Sequence, residues 1–389
     1  MASLRRDFSL SALVAGFVAV LVGFTSSAAI VFQAAQALGA TPEQIGSWIL
    51  ALGVGMGATC IGLSLRHRAP VLTAWSTPGA AMLITGAAGV PMAEAIGAFL
   101  ACGALIALAG FGGWFERAMH RIPMSIGSAM LAGVLLRFGL DVFVAMQSRF
   151  GLVAPMFGVW LLARRLAPRY AVLAALLTGL AVAGGSGLIH WDRMDLQLAR
   201  PVPVMPSFSL AALVGVALPL FVVTMASQNV PGVAALRACG YERVPVSPVI
   251  GWTGIATLLL APFGAYALNL AAITAAICMG PEAHPDPRRR YVAAVAAGGF
   301  YLLAGLFGAT VAALFAALPR ELVLGIAGVA LFGTIAAALA GAMAREPERE
   351  PALATFLVTA SGMTLAGIGS AFWGLVAGAI TLLVLRARR

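Results

Sequence analysis

Polar side chains are scarce in this chain, so the few that interrupt its apolar runs mark where chemistry can occur. Ser227-Gln228-Asn229 stands directly before Val230-Pro231-Gly232 inside one such run. Another run reads Val71-Leu72-Thr73-Ala74-Trp75-Ser76-Thr77-Pro78-Gly79-Ala80-Ala81, and a third contains Phe263-Gly264-Ala265-Tyr266-Ala267-Leu268-Asn269-Leu270. Thr25-Ser26-Ser27 and Gln33 lie in the first run. Hydroxyls and side-chain amides both donate and accept, so such groups can hold a carboxylate or a polar ring without bringing a full charge of their own. They also serve widely as helix–helix hydrogen bonds inside membranes, which is the structural reading set against the functional one. Arg137 and Asp141, spaced i, i+4, form the one clear intramembrane charge pair in the sequence. That spacing lets them satisfy one another, and Asp141 is also the candidate for carrying a proton.

Enzymatic readings find little support. Gly184-Gly185-Ser186-Gly187 matches a short intramembrane serine motif, but His67, His120, His190 and His284 all lie in or beside loops, leaving no buried base to face Ser186. No histidine pair has metal-ligand spacing, no loop is built to cradle phosphate, and no catalytic carboxylates are paired. Cys60, Cys102, Cys239 and Cys278 read as small apolar packing residues rather than a disulfide framework.

The elements that must position these groups are membrane spans. Hydrophobic residues make up 61% of the 389 and charged ones 10%, with mean hydropathy +0.98. A soluble protein of this size needs far more polar covering. A span needs roughly 20 apolar residues, so fourteen need roughly 280 and leave only short loops. Apolar runs fall at about 10–36, 44–64, 71–89, 92–114, 123–146, 150–163, 169–188, 208–236, 246–262, 263–280, 291–318, 321–343, 352–368 and 370–386. All 24 basic residues are arginine, and they test this count. With the N-terminus inside, the inner loops collect nineteen of them, while the outer loops collect only Arg149, Arg193, Arg200 and Arg320. That bias fixes fourteen spans with both termini cytoplasmic. The net charge of +10 is therefore topology information and not a nucleic-acid footprint. Leu4-Arg5-Arg6-Asp7-Phe8 has the look of a twin-arginine signal, but the following run is too long for a signal region and reads as an anchored first helix.

Residues 1–389 thus form a single all-α membrane domain, divided by an outer linker at about 189–207 that carries Trp191, Asp192, Arg193, Asp195 and three prolines. Seven spans precede it (about 10–188) and seven follow it (about 208–386). Seven is odd, so the second set enters from the opposite side, as in the inverted repeats of secondary transporters. Ile45-Gly46-Ser47-Trp48 opening span two and Ile250-Gly251-Trp252 opening span nine give a weak self-similarity. The third span of each set is interrupted. Ser76 and Thr77 before Pro78-Gly79 predict a capped half-helix of about eleven residues, too short to cross, preceded by an extended stretch. Asn269 is the corresponding cap expected in span ten. Paired half-helices place partial positive charge and free N–H groups at a central site.

Thr73-Ala74-Trp75-Ser76-Thr77-Pro78-Gly79, Ser227-Gln228-Asn229-Val230-Pro231-Gly232 and Tyr266-Ala267-Leu268-Asn269-Leu270 resemble motifs of the benzoate–proton symporter (BenE) family, a branch of the nucleobase-transporter fold. The resemblance covers nearly the whole length. It implies seven-plus-seven inverted repeats, a core of spans 1–4 and 8–11, a gate of spans 5–7 and 12–14, and a substrate site between the two broken spans. Nucleobase transporters resemble Tyr-Gly-Glu-Asn in span ten and carry Glu-His in span eight; here Leu268 and Gln228-Asn229 stand at the matching positions. A site without carboxylates facing positive helix ends suits a carboxylate anion with an apolar ring. The expectation is import of benzoate or a related aromatic carboxylate, driven by the proton gradient, with no cofactor or metal, across a bacterial inner membrane; a homodimer is left open. Ser76, Thr77, Gly79, Gln228, Asn229, Asn269, Ser26 and the backbone near Ala267 would hold the substrate, and Trp75 and Tyr266 would flank its ring. A nucleobase or inorganic-anion transporter of the same fold, or an uncoupled anion channel, are the alternatives.

Overall fold

Uninterrupted apolar runs become helices because hydrocarbon offers the backbone no hydrogen-bond partner other than itself. The computed structural model describes residues 7–87, 89–113, 124–166, 171–189, 197–281, 283–365 and 368–386. In chain order, the first half holds α1 (Leu10–Ala37), α2 (Pro42–His67), β1 (Thr73–Trp75), α3 (Thr77–Gly86), α4 (Met92–Phe111), α5 (Met124–Ser148), α6 (Phe150–Leu166) and α7 (Ala171–Gly185). The second half starts with α8 (Leu210–Arg237), which widens into π-helical turns at Leu213–Ala217 and Met225–Asn229. Then come α9 (Val246–Leu260), β2 (Leu268–Leu270), α10 (Ile273–Met279), α11 (Tyr291–Leu306), α12 (Gly308–Ala317), α13 (Arg320–Met343), α14 (Arg349–Ala360), the β3–β4 hairpin (Thr364–Leu365 with Ile368–Gly369) and α15 (Ser370–Arg386).

Among the described residues, six helices are long and apolar enough to cross a membrane, and α1 makes a seventh when its halves, bent by 43°, are taken together. The chain is a multi-pass membrane protein. Its helices approach one another closely where small residues meet, the usual device when hydrophobicity cannot drive association. α2 lies along α11, and a Cβ on Gly53 would stand 2.6 Å from the Gly305 Cα. α4 lies along α9, where a Cβ on Gly110 would stand 2.2 Å from the Gly251 nitrogen. A second group forms around α5 and α13, with α14 and α15 packed beside them.

Besides the third span of each set, two further predicted spans are interrupted. The run 291–318 breaks at Phe307, where the linker takes the freed groups: Ala199 N–H donates to the Leu306 carbonyl (2.8 Å), and Gln197 exchanges hydrogen bonds with the Thr310 hydroxyl. The run 352–368 stops at Ala360, two residues before Gly362 adopts φ +66, and the chain turns through the β3–β4 hairpin. The same linker continues over this end of the molecule: Val202 N–H donates to the Ser47 hydroxyl, Val204 N–H to Pro262 and Ser207 N–H to Ala93. Trp191, Asp192, Arg193 and Asp195 lie outside the described residues. At the opposite end Asp7 bridges Arg68 (3.1 Å), Arg289 (3.5 Å) and the Tyr291 hydroxyl (2.9 Å), joining the start of the chain to α2 and α11.

Arg137 and Asp141 do not form the expected ion pair. Arg137 is exposed and Asp141 half-buried, with Arg320 joining Arg137 among the cations whose field reaches the carboxylate. Cation before anion is the weaker order for an i, i+4 helical pair. Of the cysteines, Cys60, Cys102 and Cys278 are buried as expected for packing residues, whereas Cys239 is exposed; all four are free thiols.

Candidate functional site

The two interrupted segments meet. β1 and β2 pair antiparallel with Thr73 opposite Leu270, Ala74 opposite Asn269 and Trp75 opposite Leu268. The ladder is prolonged by Ser76 N–H to the Ala267 carbonyl (3.1 Å) and Ala271 N–H to the Leu72 carbonyl (2.9 Å). Each unwound piece thus satisfies the other's backbone, the condition for non-helical chain within a membrane protein's interior.

Ser76 starts α3 as its residue type and spacing predict. Its backbone is extended, its Oγ accepts from Gly79 N–H (3.1 Å), and Pro78 sits in the first turn. The same Oγ accepts the Thr224 hydroxyl (2.9 Å) from α8. Gly79 permits this approach, since a Cβ there would lie 2.6 Å from the Leu220 Cδ1. α8 reaches the second break as well. Within its π-helical turn, Asn229 is fully buried; its Oδ1 accepts from Leu270 N–H (2.9 Å) while its Nδ2 points at the Met225 sulfur (3.1 Å). A widened turn of this kind often marks a functional stretch.

The other expected residues divide sharply. Trp75 is fastened to α1: its Nε1 donates to the Ser27 Oγ (2.9 Å) and its ring meets Phe24 edge-on at 4.8 Å. Tyr266 does not flank an open site. It is fully buried between Trp48 and Phe99, ring centroids 5.9 and 6.0 Å away, and its hydroxyl has no partner among the described residues. Asn269 is not a cap; it lies within β2, its Nδ2 donating to the Ala267 carbonyl (3.3 Å), and α10 starts four residues later from Ala272 without a side-chain cap. The reason is the strand pairing, which keeps residues 268–270 extended and postpones the helix. Ala267 carries φ +22. The side chain of Ser26 lies outside the described residues; the bend of α1 falls at its position.

Thr77 and Gln228 differ from all of these. Both are half-buried, and neither side chain makes a hydrogen bond among the described residues. Gln228 follows Thr224 by four positions on α8, close to where Thr224 touches Ser76. None of the positions gathered here is acidic, and the N-terminal turn of α3 contributes partial positive charge. The arrangement can offer neutral donors to an anion and has no charge of its own to repel one.

Residues 6–384 match the BenE family model, described as Benzoate membrane transport protein. The chain belongs to this family. It is 52% identical over 373 residues to the Inner membrane protein YdcO of Escherichia coli (strain K12), spanning 96% of this chain and 95% of that one. It is 40% identical over 383 residues to the Benzoate membrane transport protein of Acinetobacter baylyi, spanning 98% and 97%. Among solved structures it shares its fold with the transmembrane domain of a cyanobacterium bicarbonate transporter, BicA (TM-score 0.57, 14% identity, 95% of this chain and 97% of that one). A murine Solute Carrier 26 member, the Slc26a9 anion transporter, matches at TM-score 0.56 and 13% identity, over 98% of this chain and 69% of that one.

In this membrane transport family member, the candidate site therefore combines a sealed frame with two half-buried polar side chains. Ser76, Gly79, Asn229, Ala267 and Asn269 hold the crossing together, whereas Thr77 and Gln228 keep their hydrogen-bonding groups free. Sequence reading missed Thr224 and Thr257, whose hydroxyl accepts from Leu268 N–H (3.0 Å) and holds the second break. Thr224 stands one helical turn before Gln228 and was open to discovery by spacing; Thr257 carried no signal, because only the fold brings α9 to β2.

Proposed function

We propose that this protein imports benzoate or a related aromatic carboxylate by proton symport across a bacterial inner membrane, with both termini cytoplasmic. The observation that carries the reading is the crossing itself: a capped half-helix start lies against α8, Thr77 and Gln228 keep unpaired donors beside it, and none of these positions is acidic. A benzoate-type anion takes such donors at its carboxylate, and apolar surroundings take its ring. Trp75, held by Ser27 and Phe24, supplies an aromatic wall on the α1 side. Asp141 is the one acid set well inside a span and serves as the proton carrier in this reading.

Fourteen spans in two inverted repeats fit the contacts. Exchanging spans two and nine, and four and eleven, turns the α2–α11 pair into the α9–α4 pair. The same exchange maps β1–β2 and α5–α13 onto themselves. Spans one to four and eight to eleven would then form the core, and the α5–α13 group the gate that rocks against it. An inorganic anion is the second substrate reading, favoured by the shared fold of the anion transporters named above.

Purified protein in liposomes is expected to accumulate labelled benzoate under an inward proton gradient, and to stop when a protonophore is added. Gln228→Ala and Thr77→Ala should each raise the KM for benzoate about tenfold, the loss of one hydrogen bond to a charged group, with thermal stability unchanged. Folded protein that takes up bicarbonate but never benzoate would sink the aromatic assignment. Conductance without accumulation would replace the symporter by a channel.

A further inference from the structure

A cavity of about 520 Å³, lined by none of the residues of the strand crossing, lies between the C-terminal ends of α1 and α3 and the start of α13. Phe32, Ile84 and Val323 give it apolar walls, and Gln33, Gln36 and Arg320 give it polar ones. The Gln33 Nε2 is buried without a hydrogen-bond partner among the described residues. A buried amide donor left unpaired is costly unless something supplies an acceptor. Arg320 is exposed and makes no ion pair among the described residues, whereas its neighbour Glu321 is bound to Arg149 (3.4 Å). An unpaired guanidinium, an unpaired amide donor and an apolar wall in one concavity are the complement of an aromatic carboxylate.

We propose that this cavity is an outer vestibule that collects aromatic carboxylate anions before they reach the crossing. Arg320 and Gln33 meet the carboxylate, and Phe32 and Ile84 receive the ring. The inference rests on the transport reading for its place in the cycle, and on the arginine bias for its outward side. It accounts for Arg320 standing at the end of the molecule where arginines are rare. A positive group at the mouth of a low-dielectric cleft raises the local concentration of anions.

The test places a cysteine at the exposed Gln36 by Gln36→Cys and labels intact cells with membrane-impermeant thiol reagents, one carrying a sulfonate and one a quaternary ammonium. Relative to a free thiol in solution, the sulfonate reagent is expected to react about fivefold faster than the cationic one at low salt. Benzoate should slow labelling. Arg320→Gln should abolish both effects, and Arg320→Lys should keep the charge preference. Absence of labelling from outside, equal rates for the two reagents, or a preference indifferent to Arg320→Gln would overturn the proposal. A preference without benzoate protection would overturn the aromatic-carboxylate assignment. If wild-type protein fails to accumulate benzoate while protection at Gln36→Cys persists, the transport reading falls and the vestibule stands.

Discussion

The two chain breaks meet face to face, yet they are built in opposite ways. The first is written where it occurs: Ser76 caps, Pro78 sets the first turn, and a helix of ten residues follows. The second has no such punctuation. Its helix, Ile273–Met279, has seven residues and follows Ala272, which supplies no side-chain cap. What holds it comes from elsewhere, with Thr257 on α9 binding Leu268 N–H and Asn229 on α8 binding Leu270 N–H. A local cap survives rearrangement of its neighbours. A break held by two other helices responds to them, so motion of α8 or α9 can reach the site through β2.

The strongest way to break this contrast is at the turn before β2. Gly264 takes φ +99, and a Cβ there would lie 1.8 Å from the Trp48 indole. Left-handed backbone costs an ordinary residue about 1–2 kcal/mol, and overpacking a filled site about 1–3 kcal/mol more. Gly264→Ala should therefore destabilise the protein by about 3 kcal/mol or more, read as a lower melting temperature and poor recovery from detergent. Retention of wild-type stability would mean that the second break is not pinned at Gly264.

The next two substitutions compare the breaks directly. Asn229→Ala strands the buried Leu270 N–H and should cost about 1–3 kcal/mol. Ser76→Ala removes a cap and also the acceptor of the Thr224 hydroxyl, which can turn back to a carbonyl of its own helix. The loss should therefore stay at about 1 kcal/mol, with Ser76→Thr restoring most of it. Thermal unfolding of the two variants side by side checks the order. A larger loss at Ser76 would reverse the assignment of local and remote control. Both positions lower uptake through the frame, so stability and transport should fall together, unlike at Gln228.

This contrast also explains what could be read from the sequence. The first break was legible because helix initiation has a local code, and Ser76-Thr77-Pro78-Gly79 spells it. The polar cluster on α8 was legible because polar groups in a long apolar run are expensive. Asn269 misled, since its residue type suits a cap while its backbone is committed to pairing with Ala74. The break at Phe307 and the hairpin after Ala360 were hidden for a similar reason: neither run carries a charge or a proline, and the groups that end the helices are a distant linker and a glycine turn. Arg137 and Asp141 had the spacing of a pair but the weaker order.

Tyr266 offers the smallest and most discriminating change. Its residue type pointed to a ring flanking the substrate, and the structure seals it between Trp48 and Phe99 with an unpartnered hydroxyl. Burying a hydroxyl without a partner is unfavourable, so Tyr266→Phe removes the polar atom while keeping the packed ring. Stability should rise by up to about 1 kcal/mol, and benzoate uptake should be unchanged. A fall in uptake at unaltered stability would have a different meaning. It would show that the hydroxyl finds its partner in another state of the transport cycle, and that the second break opens where the first stays capped.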